Sequence, residues 1–242
     1  NTIAMLVGDT GSFKSTLALG IAVCVQNSLP WHSLRTRACN VAIFNHEDGS
    51  GFKTRYLANV DHYEINEPAL FWDSEVPNLL NTAEVDARIS AMKDAGIGLV
   101  VIDTLAHAMP GADENSAKEM GIAVDNLIRI KKQLNATVLV VHHTGKDPSK
   151  GARGSSSLKA AVDTEISVTA SRGGVKLNQC KQRHCRIVDP LQLIAQEVPI
   201  DGTSACILVT DPGASTVVGD HHPKGKTAIG WSLLKALASE NA

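Results

Sequence analysis

Two continuous apolar runs, "GLVVID" at 98–103 and "TVLVVHH" at 137–143, constrain the fold most. Neither alternates apolar with polar residues, so each must be buried on both faces, as strands of a parallel sheet are when helices cover both sides. The segment between them, "NSAKEMGIAVDNLIRIKKQL" (115–134), has the apolar spacing of a helix and is long enough to be the crossover. The same rhythm holds upstream. "TIAMLV" (2–7) leads into a helix over 14–25, and "NVAIFN" (40–45) into one around 52–59. A weaker strand, "ALFWD" (69–73), precedes the helical "TAEVDARISAMKDAG" (82–96). Strands alternating with helices predict an α/β domain built on a mostly parallel central sheet.

After residue 163 the rhythm changes. "TEISVTA", "GVKLNQC", "LQLIAQEV" and "ACILVT" read as consecutive strands joined by turns, predicting antiparallel additions to one edge of that sheet. We expect residues 1–212 to form the core, with 213–242 a C-terminal extension whose helix, "GWSLLKALASE", leads into a further segment. A chain of 242 residues can bury one sizeable core. No apolar run approaches the roughly 18 residues that span a bilayer, so no membrane is expected as a partner. The chain opens inside a strand, as a piece of a longer protein would. Its five scattered cysteines fit a reducing cytoplasm better than a disulfide framework. Cys180 and Cys185 lack the second ligand pair that a zinc site needs. With a formal net charge of −2, any contact with nucleic acid must come from local basic loops.

The stretch "GDTGSFKST" (8–16) follows the first strand and opens the first helix. It fits the phosphate-loop pattern G-x-x-x-x-G-K-[ST] except that Phe13 stands where the second glycine is expected. Such a loop turns successive backbone N–H groups and a helix N-terminus toward phosphates while its lysine reaches the terminal ones. Gly8, Asp9, Thr10, Gly11, Ser12, Phe13, Lys14, Ser15 and Thr16 are therefore the expected nucleotide contacts. A positive φ at Phe13 would cost about 1–2 kcal/mol, which is small beside several charge-assisted bonds. The ring can point away from the phosphates. A second signature supports the first: "LVVIDTL" (99–105) ends a hydrophobic strand on Asp103, the Walker B arrangement. Asp103, through water, and Ser15 are the expected partners of Mg²⁺, with ATP as the nucleotide.

With these motifs the chain resembles the RecA-like P-loop ATPases of the plasmid RepA type, relatives of the DnaB hexameric replicative helicases. "FNHEDG" (44–49) resembles the second strand of that family ending in a catalytic glutamate, which implies Glu47 as the general base. The alternative from the residues is that Glu47 or Asp48 caps the following helix; we expect Glu47 as the base and Asp48 as the cap. We expect the strand that Glu47 ends to lie beside the phosphate-loop strand. "VVHHTGKDPSKGARGSSSL" (140–158) is similar to the family's sensor strand and DNA-facing loop. His142 could then hydrogen-bond the γ-phosphate, and Lys146, Lys150 and Arg153 would face single-stranded DNA. Without the resemblance, that loop reads as a solvated connection. "CKQRHC" (180–185) resembles the K-x-R of the family's finger hairpin. It implies that Lys181 and Arg183, two apart on one side of a strand, reach a neighbouring protomer's nucleotide. A solvent-facing pair on an exposed edge is the alternative. The resemblance further implies a homo-oligomeric, hexameric ring, a primase module on the same chain or replicon, and a cytoplasmic setting in a bacterium, plasmid, phage or other mobile element. It leaves open a non-translocating role as a recombination mediator or a primase- or helicase-associated factor.

Overall fold

The structure is a computed structural model that describes residues 1–32, 34–46, 51–144, 156–172 and 174–211. The parallel part comprises β1 (Ile3–Gly8), α1 (Lys14–Gln26), β2 (Asn40–Asn45), α2 (Gly51–His62), β3 (Phe71–Asp73), α3 (Thr82–Lys93), β4 (Ile97–Asp103), α4 (Ala117–Leu134) and β5 (Thr137–His143). A short α5 (Ser156–Ala161) follows, then β6 (Thr164–Ser171), β7 (Gly174–Gln182), β8 (Leu191–Ile200) and β9 (Thr203–Thr210). All nine strands form one sheet in the order β3-β2-β4-β5-β1-β6-β7-β8-β9.

The pleat explains why the central strands carry unbroken apolar runs. Ala4, Leu6, Leu99, Val101, Leu139 and Val141 enter one buried cluster, shared with α1. Their alternates Ile3, Met5, Val7, Val100, Ile102, Val138 and Val140 enter a second, shared with α3 and α4. Each strand thus feeds two cores, and the helices cover both faces. Helix α1 is buried along most of its length, from Lys14 to Val25. It packs on β1, β2, β4 and β5 and reaches β9, and the β8–β9 hairpin also packs on α2 through Ala58, Val198, Ala205 and Ile207. Helix α4 is the amphipathic one. Ser116 caps its N-terminus by accepting from the Glu119 N–H, and Lys131 and Lys132 lie in its last turn, where cations suit the helix dipole.

Two expectations are corrected. Strand β2 does not lie beside β1; β4 and β5 intervene, and β2 pairs with β4, Asn45 facing Asp103 in register. The crossover helices distribute strands on both sides of β5, which local sequence pattern does not encode. Strand β6 also departs from the expected run of antiparallel strands. It lies parallel to β1, Ala4 opposite Thr164, the chain re-entering the sheet at its start edge after α5. From β6 onward the pairing is antiparallel. The expected extension at 213–242 lies outside the described residues.

Candidate functional site

Four parallel strands, β1, β5, β4 and β2, end on one edge of the sheet, where ligands of open α/β sheets gather. Gly8 ends β1 level with His143 of β5, and Asp103 ends β4 level with Val141 of β5 and Asn45 of β2. This edge carries the phosphate-loop sequence, the Walker B aspartate and the end of the second strand. Parity and register bring them together rather than sequence proximity.

The loop between β1 and α1 is shaped by its glycines and its lysine. A Cβ on Gly8 would sit 2.3 Å from the Val168 carbonyl oxygen and 2.6 Å from Ser12 Oγ, so only glycine fits. Gly11 has φ +77°, a conformation that glycine adopts freely. The Lys14 ammonium, 5% exposed, donates to the carbonyl oxygens of Gly8 at 2.9 Å and Asp9 at 2.7 Å, and approaches Ser12 Oγ at 3.4 Å. The Thr144 hydroxyl donates to the Asp9 carboxylate and its N–H to Gly8 O at 3.2 Å, tying the end of β5 to the loop.

Phe13 stands at the N-cap of α1 with φ 68° and ψ 21°, the left-handed conformation that the missing glycine would have adopted with less strain. It gives the helix no side-chain cap, and no acidic residue lies in the first turn. Such an uncapped N-terminus suits an anion. The phenyl ring is partly buried and packs against the cluster around α1. Phe13→Gly should therefore remove about 1–2 kcal/mol of left-handed strain. It should also give up a similar amount of stabilisation from the half-buried ring. The expected result is a thermal midpoint near that of the parent and ATP turnover that is retained or raised. Loss of nucleotide binding would make the ring a nucleotide contact and overturn this account.

Asp103 is 2% exposed and accepts from Asn45 Nδ2 at 2.6 Å. Asn45, 1% exposed, is a residue that sequence reasoning passed over, since a polar residue at a strand end reads as the start of a turn. The pleat also separates the two histidines of β5. His142 shares parity with Val138 and Val140 of the α4 face and is 1% exposed. His143 shares it with Leu139 and Val141, the face of Asp103. Counting by twos from Asp103's neighbour Val141 would have found it. Beside them, the rings of His46 and His107 lie 4.9 Å apart, and His107 Nδ1 is 3.2 Å from Thr104 Oγ1. Glu47, Lys146, Lys150 and Arg153 lie outside the described residues.

Ser15, on the first turn of α1, and Asp103, at the end of β4, present hydroxyl and carboxylate oxygen on the edge that carries the uncapped helix start. Such hard oxygen donors suit Mg²⁺ accompanied by phosphates, so the residues present fit that ion.

Lys181 and Arg183 lie elsewhere. Gln182 pairs with Thr164, and the Arg183 N–H donates to the Asp163 carbonyl at 2.9 Å, level with the start of β1. Five residue rises along β1 lead from Ile3 to Gly8, so the pair lies about 16 Å from the phosphate loop of its own chain along the strand direction, at the opposite edge of the sheet. The two side chains do share one side, as their spacing implies. Lys181 Nζ donates to the Ala160 carbonyl at 3.3 Å and Arg183 Nη2 to the same oxygen at 2.7 Å. Burial, and next the Arg183 charge, lower the pKa of the Lys181 ammonium from its usual value, while Asp163 and Glu165 pull the other way.

A strand–loop–helix phosphate loop with Walker B two strands along the same sheet edge defines a P-loop ATPase of RecA-like fold. Residues 1–149 match the sequence model of the family described as AAA domain, and the chain belongs to that family. No curated protein matches it. No helix among the described residues is long and apolar enough to cross a membrane.

Proposed function

We propose that this chain is the ATPase core of a ring-forming helicase of the RepA and DnaB kind, hydrolysing ATP with Mg²⁺ and moving on single-stranded DNA. The observation that carries this reading is the placement of the Lys181–Arg183 pair beside Asp163, level with the start of β1, while the phosphate loop leaves its far end, about 16 Å away along the strand by its ideal rise. An arginine side chain cannot bridge that gap within one chain, so these cations can serve a nucleotide only if it belongs to another copy. A composite site of that kind requires at least a dimer, and a closed ring completes every site.

In this mechanism the loop N–H groups and Lys14 hold the β- and γ-phosphates. Ser15 and, through water, Asp103 would hold Mg²⁺, which would supply charge neutralisation on the phosphate oxygens. Asn45 fixes the Asp103 carboxylate. Glu47 takes the proton of the attacking water, and Arg183 and Lys181 of the neighbouring copy stabilise the charge that develops on the transferred group. The His142–His143 end of β5 senses the γ-phosphate, with His143 on the face of Asp103. Lys146, Lys150 and Arg153 contact the DNA backbone, so local charge binds the polyanion despite the near-neutral chain.

The test is ATP turnover with and without single-stranded DNA, together with particle size in a non-hydrolysable ATP analogue. Stimulated turnover and a ring-sized species are expected. Stimulation without strand displacement would favour the mediator role, and absent turnover a nucleotide-sensing module. Replacing Lys146 and Lys150 by glutamine should weaken DNA binding and reduce the slope of log K against log salt by roughly 0.7 for each phosphate no longer neutralised. An unchanged slope would remove this loop from the binding surface.

A further inference from the structure

The Lys181–Arg183 pair is not loose. Arg183 Nη1 lies 3.0 Å from Asp163 Oδ1, in addition to its bond to the Ala160 carbonyl and its backbone bond to Asp163. Asp163 is 3% exposed, and its other oxygen accepts the Ile3 N–H at 3.0 Å. The Asp163 N–H in turn donates to the Ile3 carbonyl at 2.8 Å. Lys131 of α4 and His184 each stand 3.7 Å from the same carboxylate. Glu165, 2% exposed, faces Lys181 in register across β6 and β7 and lies 3.7 Å from Lys159. A buried carboxylate is costly unless it is bonded and paired, and here the pairing is with a side chain that is 46% exposed. Two of the guanidinium's nitrogens are held by Asp163 and by the Ala160 carbonyl in the last turn of α5, and the side chain remains 46% exposed.

We propose that Asp163 is a positioning residue for Arg183: it anchors the guanidinium to the first residue of the phosphate-loop strand, so that the pair is presented preformed to a neighbouring copy. The proposal rests on the trans role of Arg183 proposed above. Asp163 itself touches no nucleotide. Its effect travels through two contacts, one to the Ile3 backbone and one to the guanidinium, and orientation of that group is worth rate because a finger held in place has no ordering cost left at the transition state. The alternative is a plain fold contact, in which the carboxylate stabilises the β1–β6 junction and Arg183 merely solvates it.

A double-mutant cycle separates the two. Asp163→Asn keeps an acceptor for the Ile3 N–H and removes the charge that holds Arg183. At saturating protein concentration kcat is expected to fall about tenfold with KM, and the Kd for a fluorescent ATP analogue, within about twofold of the parent. In an Arg183→Ala background the same change should alter kcat less than about twofold, because the group being positioned is gone. Asp163→Glu should recover part of the rate. Equal losses in both backgrounds would overturn the proposal in favour of a fold contact. Unchanged kcat in Asp163→Asn, with Arg183→Ala slow, would overturn it while leaving the trans reading intact. Parent-like turnover in Arg183→Ala would remove the trans reading and the proposal together. Should Asp163→Asn not fold, the cycle is run with Asp163→Glu, where a displaced carboxylate must slow the parent and not the Arg183→Ala protein.

Discussion

Lys14→Ala is expected to lower ATP turnover by at least about 10²–10³-fold while leaving a folded protein. The ammonium occupies the first residue of α1, at the helix end that lacks a side-chain cap. It is already aimed into the loop, at the carbonyls of Gly8 and Asp9. An incoming phosphate group competes with those carbonyls for a full positive charge that is nearly excluded from water, which is the setting in which such a charge does most for a transition state. Removing the side chain also strands acceptors that it satisfied, at about 1–3 kcal/mol. For a domain of this size that corresponds to a fall in the thermal midpoint of a few degrees per kcal/mol. The two effects are therefore separable: a modest shift in melting, a large loss of turnover. Turnover within about tenfold of the parent would mean that hydrolysis does not occur at this loop.

How much of this was legible in the sequence depended on how local the cause was. β4, α4 and β5 announced themselves because burial on both faces leaves unbroken apolar runs and a long crossover leaves helical spacing. The motif position raised the question of a left-handed backbone at Phe13 and what it would cost, and the structure answers it with φ 68°. Strand order did not follow, because β2 sits beside β4 through the routing of helices, and an apolar strand pattern is the same in either place. The parallel setting of β6 was hidden for the same reason: the alternation of "TEISVTA" reports which side chains are buried and not which way a neighbour runs. Within the site, Gly8, Lys14 and Asp103 carry motif signals, whereas Asn45 is recognisable only once its register with Asp103 is known. The stretch between Asp163 and Arg183 likewise contains a hairpin that must fold before the pair meets.

The Arg183→Ala protein should bind nucleotide with parent affinity and turn it over about 10³-fold more slowly, the usual contribution of an arginine finger. Geometry makes the reason specific. The residue stands beside Asp163 at the start edge of the sheet, while the phosphate loop leaves the far end of β1, so its removal acts away from the phosphate loop of its own chain. Parent turnover should rise more steeply than linearly with protein concentration, because each site needs two copies. Mixing Arg183→Ala with Lys14→Ala should then restore activity that neither has alone. Where the first supplies the phosphate loop and the second supplies the finger, one interface is complete. In a randomly mixed ring of two equal populations, about a quarter of the interfaces meet that condition, so recovery of up to about a quarter of parent activity is the ceiling if the sites act independently. Recovery far below that ceiling, with each variant still assembling, would mean that neighbouring sites fire in a coupled order and one dead site stalls the rest. Specific activity that stays constant on dilution, with no recovery on mixing, would show that each chain hydrolyses alone. Arg183 would then be a fold contact of Asp163, and no ring would be required for the chemistry.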